Sequence, residues 1–222
     1  MILLFSGGLD SFVAYHYYDR PPTVYFNLGT PYSVKELEVV RRLIPDTVIE
    51  HSIKLGDRQE GENAYIPYRN LHLALLANHY SDTIVIAGLK DDKVNDKNKE
   101  IFVDWSMMMT YMMGRPIEVI SPFWDMTKEQ VVKWFLNNGG TAKELLSTIS
   151  CYSGSYEKEC GKCGACFRRW CALSANGIDV PVFNNLDLML TYLEKAREGI
   201  HYIPERNETI IREVGKVIKR LK

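Results

Sequence analysis

Five short apolar runs, each followed by a segment of helical periodicity, are the strongest constraint on how this chain can fold. The runs are Ile2–Phe5, Thr23–Asn27, Thr47–Ile53, Thr83–Ala87 and Ile117–Ile120. Helices are expected between and after them, at Asp10–Tyr18, Val34–Ile44, Pro67–Tyr80, Ile101–Met113 and Thr127–Asn137. Strands that are apolar throughout, and not at every second residue, need cover on both faces. Strand–helix alternation in units of roughly 30 residues makes neighbouring strands parallel. The expected fold class is therefore α/β, a doubly wound parallel five-stranded sheet with helices on both faces.

Local signals fix some boundaries. Phe12, Val13 and Tyr17 mark the inner side of the first helix. Thr127-Lys128-Glu129-Gln130 reads as a capping box, and Asn138-Gly139-Gly140 stops the helix it opens. Gly56–Ala64 reads as a loop. Lys90–Glu100 is the most charged stretch and is expected to be exposed and mobile. Met107–Met109 with Met112-Met113 is expected to fill the core, a soft ligand surface being the alternative. Two more helices, Asp187–Arg197 and Asn207–Lys219, fall in a C-terminal helical region, 184–222. We expect one domain over 1–222, carrying a cysteine-rich segment at 148–171.

The charges nearly cancel, with 27 Lys+Arg against 28 Asp+Glu and a net of −1. That balance argues against a nucleic-acid partner held by a general phosphate coat, though not against a locally basic site. No apolar run approaches the roughly 18 residues of a membrane span, so no membrane partner is expected. The opening Met1–Gly8 lacks a charged leader and turns glycine-rich after five residues. The expectation is no signal peptide and a cytoplasmic location.

Ser6-Gly7-Gly8-Leu9-Asp10-Ser11 sits where the first strand meets the first helix. Two glycines let the backbone turn tightly and approach a bound group. The helix start supplies unpaired N–H groups and the positive end of its dipole. Together they make an anion cradle suited to phosphate. Ser6 and Ser11 add hydroxyls, while Asp10 beside a phosphate needs a cap or a metal to explain it. No Gly-Lys-Ser/Thr follows, and the third glycine of a dinucleotide fingerprint is missing. The segment matches the SGGxDS pyrophosphate loop of N-type ATP pyrophosphatases.

All five cysteines lie between 151 and 171. Cys160, Cys163 and Cys166 have CxxCxxC spacing, with Cys151 upstream as a fourth ligand. Four thiolates suit a closed structural zinc site; an iron–sulfur cluster is the rival that spacing leaves open. Cys171 reads as a packed thiol. Arg168 and Arg169 either meet phosphate or face water. The histidines at 16, 51, 72, 79 and 201 have no ligand spacing.

Taken together, these features resemble the 7-cyano-7-deazaguanine synthases of the QueC type. The resemblance runs from Phe5 to about Arg169. Beyond the glycine turn it rests on Pro67-Tyr68-Arg69-Asn70, Gly88, Pro122, Lys128, Cys151-Tyr152, Cys160–Cys166 and Arg169. It implies an adenine nucleotide alpha-hydrolase-like fold with a small four-cysteine zinc lobe. It implies ATP contacts at Phe5, Ser6, Gly7, Gly8, Leu9, Asp10 and Ser11, and catalytic roles for Asp10, Arg69 and Lys128. Substrate contacts are implied at Arg69, Asn70, Asp91, Asp92 and Arg169, and zinc on Cys151, Cys160, Cys163 and Cys166. The implied reaction takes 7-carboxy-7-deazaguanine, ammonia and ATP with Mg2+ to the nitrile, and the implied assembly is a homodimer. The chain departs from the family where Lys90–Lys99 replaces a Tyr-Pro-Asp-Cys-Arg segment, and at Asn27–Tyr32 in place of an Asp-Tyr-Gly-Gln type. The departures fall on substrate recognition. They leave a different carboxylate, arrest at the amide, or a tRNA base as alternatives.

Overall fold

The computed structural model describes residues 1–60, 65–92, 95–153, 159–180, 183–199 and 202–221. Strands β1 (Ile2–Leu4), β2 (Thr23–Phe26), β3 (Val48–Glu50), β4 (Thr83–Val85) and β5 (Glu118–Ile120) form one sheet ordered β3-β2-β1-β4-β5. Every pairing is parallel, with Leu3 opposite Thr23, Ile2 opposite Ile84, Val24 opposite Val48 and Ile84 opposite Val119. Among the described residues the helices are α1 (Leu9–Tyr17), α2 (Ser33–Leu43), α3 (Arg69–Ala77), α4 (Lys99–Met113), α5 (Lys128–Asn137), α6 (Ala142–Ser147), α7 (Gly164–Ala175), α8 (Leu186–Glu198) and α9 (Pro204–Leu221). A short 3-10 turn covers Gly56–Arg58. The strands are shorter than the apolar runs because pairing stops before the apolar residues do.

Both faces of the sheet are covered, as continuous apolar strands require. Leu3, Phe5, Tyr25, Val85 and Ala87 pack with Val13, Val40, Val131 and Phe135 from α1, α2 and α5. The alternate residues Ile2, Val24, Phe26, Ile84, Ile86 and Val119 pack with Ala74, Ala77, Phe102, Trp105 and Met109 from α3 and α4. Each fully buried large side chain contributes about 1.5–3 kcal/mol. A third cluster joins Cys151, Cys166, Phe167 and Trp170 to Met189, Leu193, Ile210 and Val214 of α8 and α9. Val39 of α2 belongs to that cluster, while its neighbour Val40 faces the sheet. The cysteine segment is thus seated directly on α2.

The Thr127 capping box is present, with the Thr127 N–H donating to Gln130 Oε1 at 2.8 Å. A second box, Thr141 to Glu144, starts α6.

Two expectations change. Of the methionine run only Met109 is core; Met107, Met108, Met112 and Met113 are exposed. The inner stripe of α4 is Phe102, Trp105 and Met109, so a run of five methionines is wider than the face that meets the sheet. The Lys90–Glu100 stretch is not uniformly exposed either: Asp91 and Asp92 point inward. Lys93 and Val94, part of loop 56–64, part of the cysteine segment and His201 lie outside the described residues. No helix among the described residues is long and apolar enough to cross a membrane.

Candidate active site and metal centre

β1 is the point where the strand order reverses, with β2 on one side and β4 on the other. Doubly wound sheets open a crevice at the carboxyl ends of such strands. The glycine turn leaves β1 there and Gly88 follows β4 there. Gly7 has φ +70°, and a Cβ on it would stand 3.0 Å from Val39 Cγ1. The Ser11 hydroxyl donates to Gly8 O at 3.1 Å and accepts from Ser6 N–H at 3.3 Å. No side chain caps α1. Its first N–H groups are therefore left for an anion. The Phe5 and Leu9 side chains are core, so only their backbone can serve such a ligand.

Gly88 is tied to β5 by the Ser121 hydroxyl, which accepts from its N–H at 2.9 Å and donates to its carbonyl at 2.7 Å. A Cβ here would lie 2.1 Å from the Trp124 ring, which is itself wedged edge-on to Phe102 at 4.8 Å. Gly88→Ala is expected to cost about 1–3 kcal/mol by overpacking. Chemical denaturation should show that loss and its partial recovery in Gly88→Ala/Trp124→Leu. An unchanged single variant would mean the indole moves freely.

Asp10 and Lys128 meet in a direct ion pair across 118 positions of sequence. This explains an aspartate at the turn, and only its Oδ1 is engaged among the described residues. Burial dominates the Lys128 ammonium and pulls its pKa below the ordinary value; Asp10 opposes this and Arg168 adds to the fall. The Lys128 N–H donates to Asp91 Oδ1 at 3.1 Å. Arg168 from α7 reaches Asp92 Oδ1 at 2.8 Å and Asp91 Oδ2 at 3.2 Å. Lys97 holds Asp92 Oδ2 at 2.8 Å, and Arg206 of α9 donates to the Asp91 carbonyl at 3.0 Å. Burial pushes the Asp92 carboxyl up, but Lys97 and Arg168 outweigh it and keep it far below the carboxylate range. The two aspartates expected to face substrate are thus occupied by the protein's own cations.

Arg69 opens α3 beside Tyr152, Tyr32, Glu36 and Asp96. Its guanidinium makes no ion pair among the described residues. Asn70 is committed: its amide donates to Asp96 Oδ1 at 3.0 Å and its backbone N–H to Oδ2 at 3.2 Å. Tyr25 donates to Glu36 Oε2 at 3.0 Å. Burial raises the Glu36 carboxyl to about 7, partly opposed by the Tyr25 bond and by Arg69. An acid raised on folding binds its proton more tightly in the native state, so stability falls as pH climbs from about 4.5 to about 7. Glu36→Gln should remove that loss, making the variant about 1–3 kcal/mol more stable than the parent at pH 8 and level with it at pH 4. Urea unfolding at the two pH values checks this; a constant difference would deny the titration.

The Sγ atoms of Cys151, Cys160, Cys163 and Cys166 all lie within 4.8 Å of one another. A tetrahedral zinc with bonds of about 2.3 Å separates its sulfurs by roughly 3.8 Å, and Cys160 and Cys166 stand at 3.9 Å. Donors suited to thiolates surround them: the Cys160 and Ser153 N–H groups at 3.3 Å from Cys151 Sγ, and Lys35 Nζ at 3.9 Å. The group fits a four-thiolate metal ion. Cys171 is apart from it, buried on α7, with burial and then Glu213 pushing its thiol up to about 12.

Arg169 lies beneath this lobe. Nη1 donates to Glu159 Oε2 at 2.9 Å, and Nη2 to the carbonyls of Leu145 at 2.8 Å and Thr148 at 3.1 Å. Glu159 accepts from Ser150 N–H at 2.9 Å. The residue after Thr148, Ile149, donates its N–H to Gly7 O at 3.0 Å. Arg169 therefore fastens the cysteine lobe to the glycine turn, and its guanidinium is directed at these partners. Lys97, Arg168 and Arg206 belong to the site, yet the sequence does not single them out as site residues. The Arg168-Arg169 pair carries a phosphate-or-solvent ambiguity, whereas Lys97 and Arg206 carry no signal at all.

A family model described as queuosine biosynthesis protein QueC matches residues 23–177. The 7-cyano-7-deazaguanine synthase of Psychromonas ingrahamii is 27% identical over 220 residues, covering 82% of this chain and 96% of that protein. The synthase of Sulfolobus acidocaldarius is 29% identical over 221 residues, covering 82% of this chain and 47% of its own. The 7-cyano-7-deazaguanine synthase 2 of Sulfurisphaera tokodaii is 30% identical, with the same two shares. The chain thus spans about half the length of these two archaeal relatives and nearly all of the bacterial one. The family match covers β2 to α7, including Arg69, Lys128 and the four clustered cysteines, and on that ground the chain belongs to the QueC family.

Proposed function

We propose that this chain is an ATP-dependent carbon–nitrogen ligase that converts 7-carboxy-7-deazaguanine and ammonia to 7-cyano-7-deazaguanine. The observation that carries the reading is the braced glycine turn at the β1/β4 crevice, with Lys128 beside it and the four-cysteine lobe hydrogen-bonded to it. A carboxylate is a poor electrophile. Its oxygen attacks the α-phosphorus of ATP and pyrophosphate leaves. Ammonia displaces AMP from the acyl-adenylate, giving the amide and a proton. The amide oxygen attacks a second ATP, again releasing pyrophosphate. Loss of AMP and protons from that adduct leaves the nitrile.

The α1 N–H groups and the exposed Ser6 hydroxyl hold the pyrophosphate oxygens, and the buried Ser11 hydroxyl braces the turn through Gly8 O and Ser6 N–H. Lys128 neutralises charge as the α–β bond breaks, and Asp10 orients it. Arg69 meets the carboxylate bidentately. Asp10 would hold a magnesium ion through Oδ2, the oxygen that Lys128 leaves unengaged, and the ion would shield the polyphosphate charge. Cys151, Cys160, Cys163 and Cys166 would fill all four positions of a zinc ion, so its role there would be structural. We take 1–222 as one domain, because Val39 and Val40 of one helix serve the lobe and the sheet.

Mass spectrometry of a reaction with 7-carboxy-7-deazaguanine, ATP, magnesium and ammonium tests this. AMP, pyrophosphate and nitrile are expected, with no ADP. Amide alone would truncate the reaction, and ATP binding with unchanged base would refute the substrate.

A further inference from the structure

Arg69, Tyr32 and Tyr152 reach one place from three parts of the chain: the start of α3, the turn before α2 and the residue after Cys151. The Tyr32 and Tyr152 rings lie 5.4 Å apart at 53°. Tyr32 is 3% exposed and Tyr152 is 44% exposed, so the inner ring backs an outer ring that is open. Among the described residues the buried Tyr32 hydroxyl has no partner within hydrogen-bond distance and geometry. Thr30, its close neighbour, shares its own hydroxyl with Ser33 at 2.8 Å.

Asp96 and Glu36 are near enough to favour the Arg69 charge, yet neither forms an ion pair with it among the described residues: the Asp96 oxygens accept from Asn70, and Glu36 Oε2 accepts from Tyr25. A partly buried arginine with no ion pair among the described residues can take an anion, and its fork of N–H donors favours a planar one. An open tyrosine face beside it favours a flat ring. We infer that Arg69 and the Tyr32-backed face of Tyr152 form a subsite for a planar aromatic carboxylate, the ring stacking on Tyr152 and the carboxylate meeting Arg69. The inference deepens the proposed function and rests on it for the identity of the ring. A nucleotide presents the same chemistry, a flat base with an anionic group, so the test separates the two.

Calorimetric titration of the full chain uses three probes: 7-carboxy-7-deazaguanine, 7-deazaguanine without the carboxylate, and α,β-methylene ATP. Tyr152→Ala should weaken the carboxylated base roughly 5- to 100-fold, the span of one lost stacking contact. Tyr152→Phe should stay within about 3-fold of the parent. Arg69→Gln should erase the preference for the carboxylated over the bare base. The ATP analogue should bind Tyr152→Ala as it binds the parent. Unchanged affinity for the carboxylated base in Tyr152→Ala overturns the subsite, as does an equal loss for the ATP analogue. If the parent ignores 7-carboxy-7-deazaguanine, the proposed function fails, and indole-3-carboxylate becomes the probe. Tyr152-dependent binding of that acid keeps the subsite; no binding of either acid removes it.

Discussion

Serine at any one of Cys151, Cys160, Cys163 or Cys166 is expected to empty the metal site and to abolish tight nucleotide binding. A structural four-thiolate zinc contributes about 10–16 kcal/mol in small zinc peptides, because the site does not exist in the unfolded chain. Here the four sulfurs are brought within 4.8 Å of one another, and the two-residue spacings of 160–166 leave little else to fold around. The consequence extends to the crevice. Ile149, two residues before Cys151, donates to Gly7 O, and Val39 packs on both Gly7 and the lobe. Loosening the lobe therefore frees the glycine turn. Elemental analysis should fall from one metal per chain to well below it, and ATP-analogue affinity should drop more than about 10-fold. Cys171→Ser is the control that keeps both, since its thiol is buried apart from the cluster. A cluster variant with parental nucleotide affinity would break the link between lobe and turn.

Arg168→Met should cost about 3–5 kcal/mol, the usual result of leaving buried charges unpaired. Arg168 serves both Asp91 and Asp92, whose side chains are 5% and 4% exposed. Burial works against the Arg168 charge, but Asp92 and then Asp91 more than restore it and raise its pKa. Without it, Asp92 keeps Lys97 alone and Asp91 keeps the more distant Arg206. Urea unfolding would read the loss as a lower midpoint at an unchanged slope. Asp92→Asn should recover part of it, because one of the stranded charges is then gone. The double-mutant cycle should give a coupling above about 1 kcal/mol. A shift within about 0.5 kcal/mol for Arg168→Met would place these carboxylates in water.

The parts of the fold legible in the sequence are those set over short distances. Each run holds a strand; the central β1, β2 and β4 are largely buried on both faces, while the edge strand β3 is only partly covered. The Thr127 cap formed because its partner is three residues away. The cysteine cluster formed around a spacing of two. The misreadings share a cause as well. Asp91 and Asp92 look like solvated loop residues until Arg168, 76 positions beyond Asp92, is brought beside them. The methionines of α4 look like core because composition does not say how wide a helix's inner face is.

Local sequence is enough for the α/β class, the glycine turn on the first strand and the four-cysteine knuckle. These depend on periodicity and on contacts within a few residues, which the chain's own stereochemistry dictates. Tertiary packing sets who pairs with whom across the crevice: Asp10 with Lys128 over 118 positions, Asp91 with Arg206 over 115, and Arg169 with the segment that supports Gly7. Charge carries no address in sequence. An ion pair needs two groups within a few ångströms in a place that excludes water, and sheet order and helix packing alone create that place.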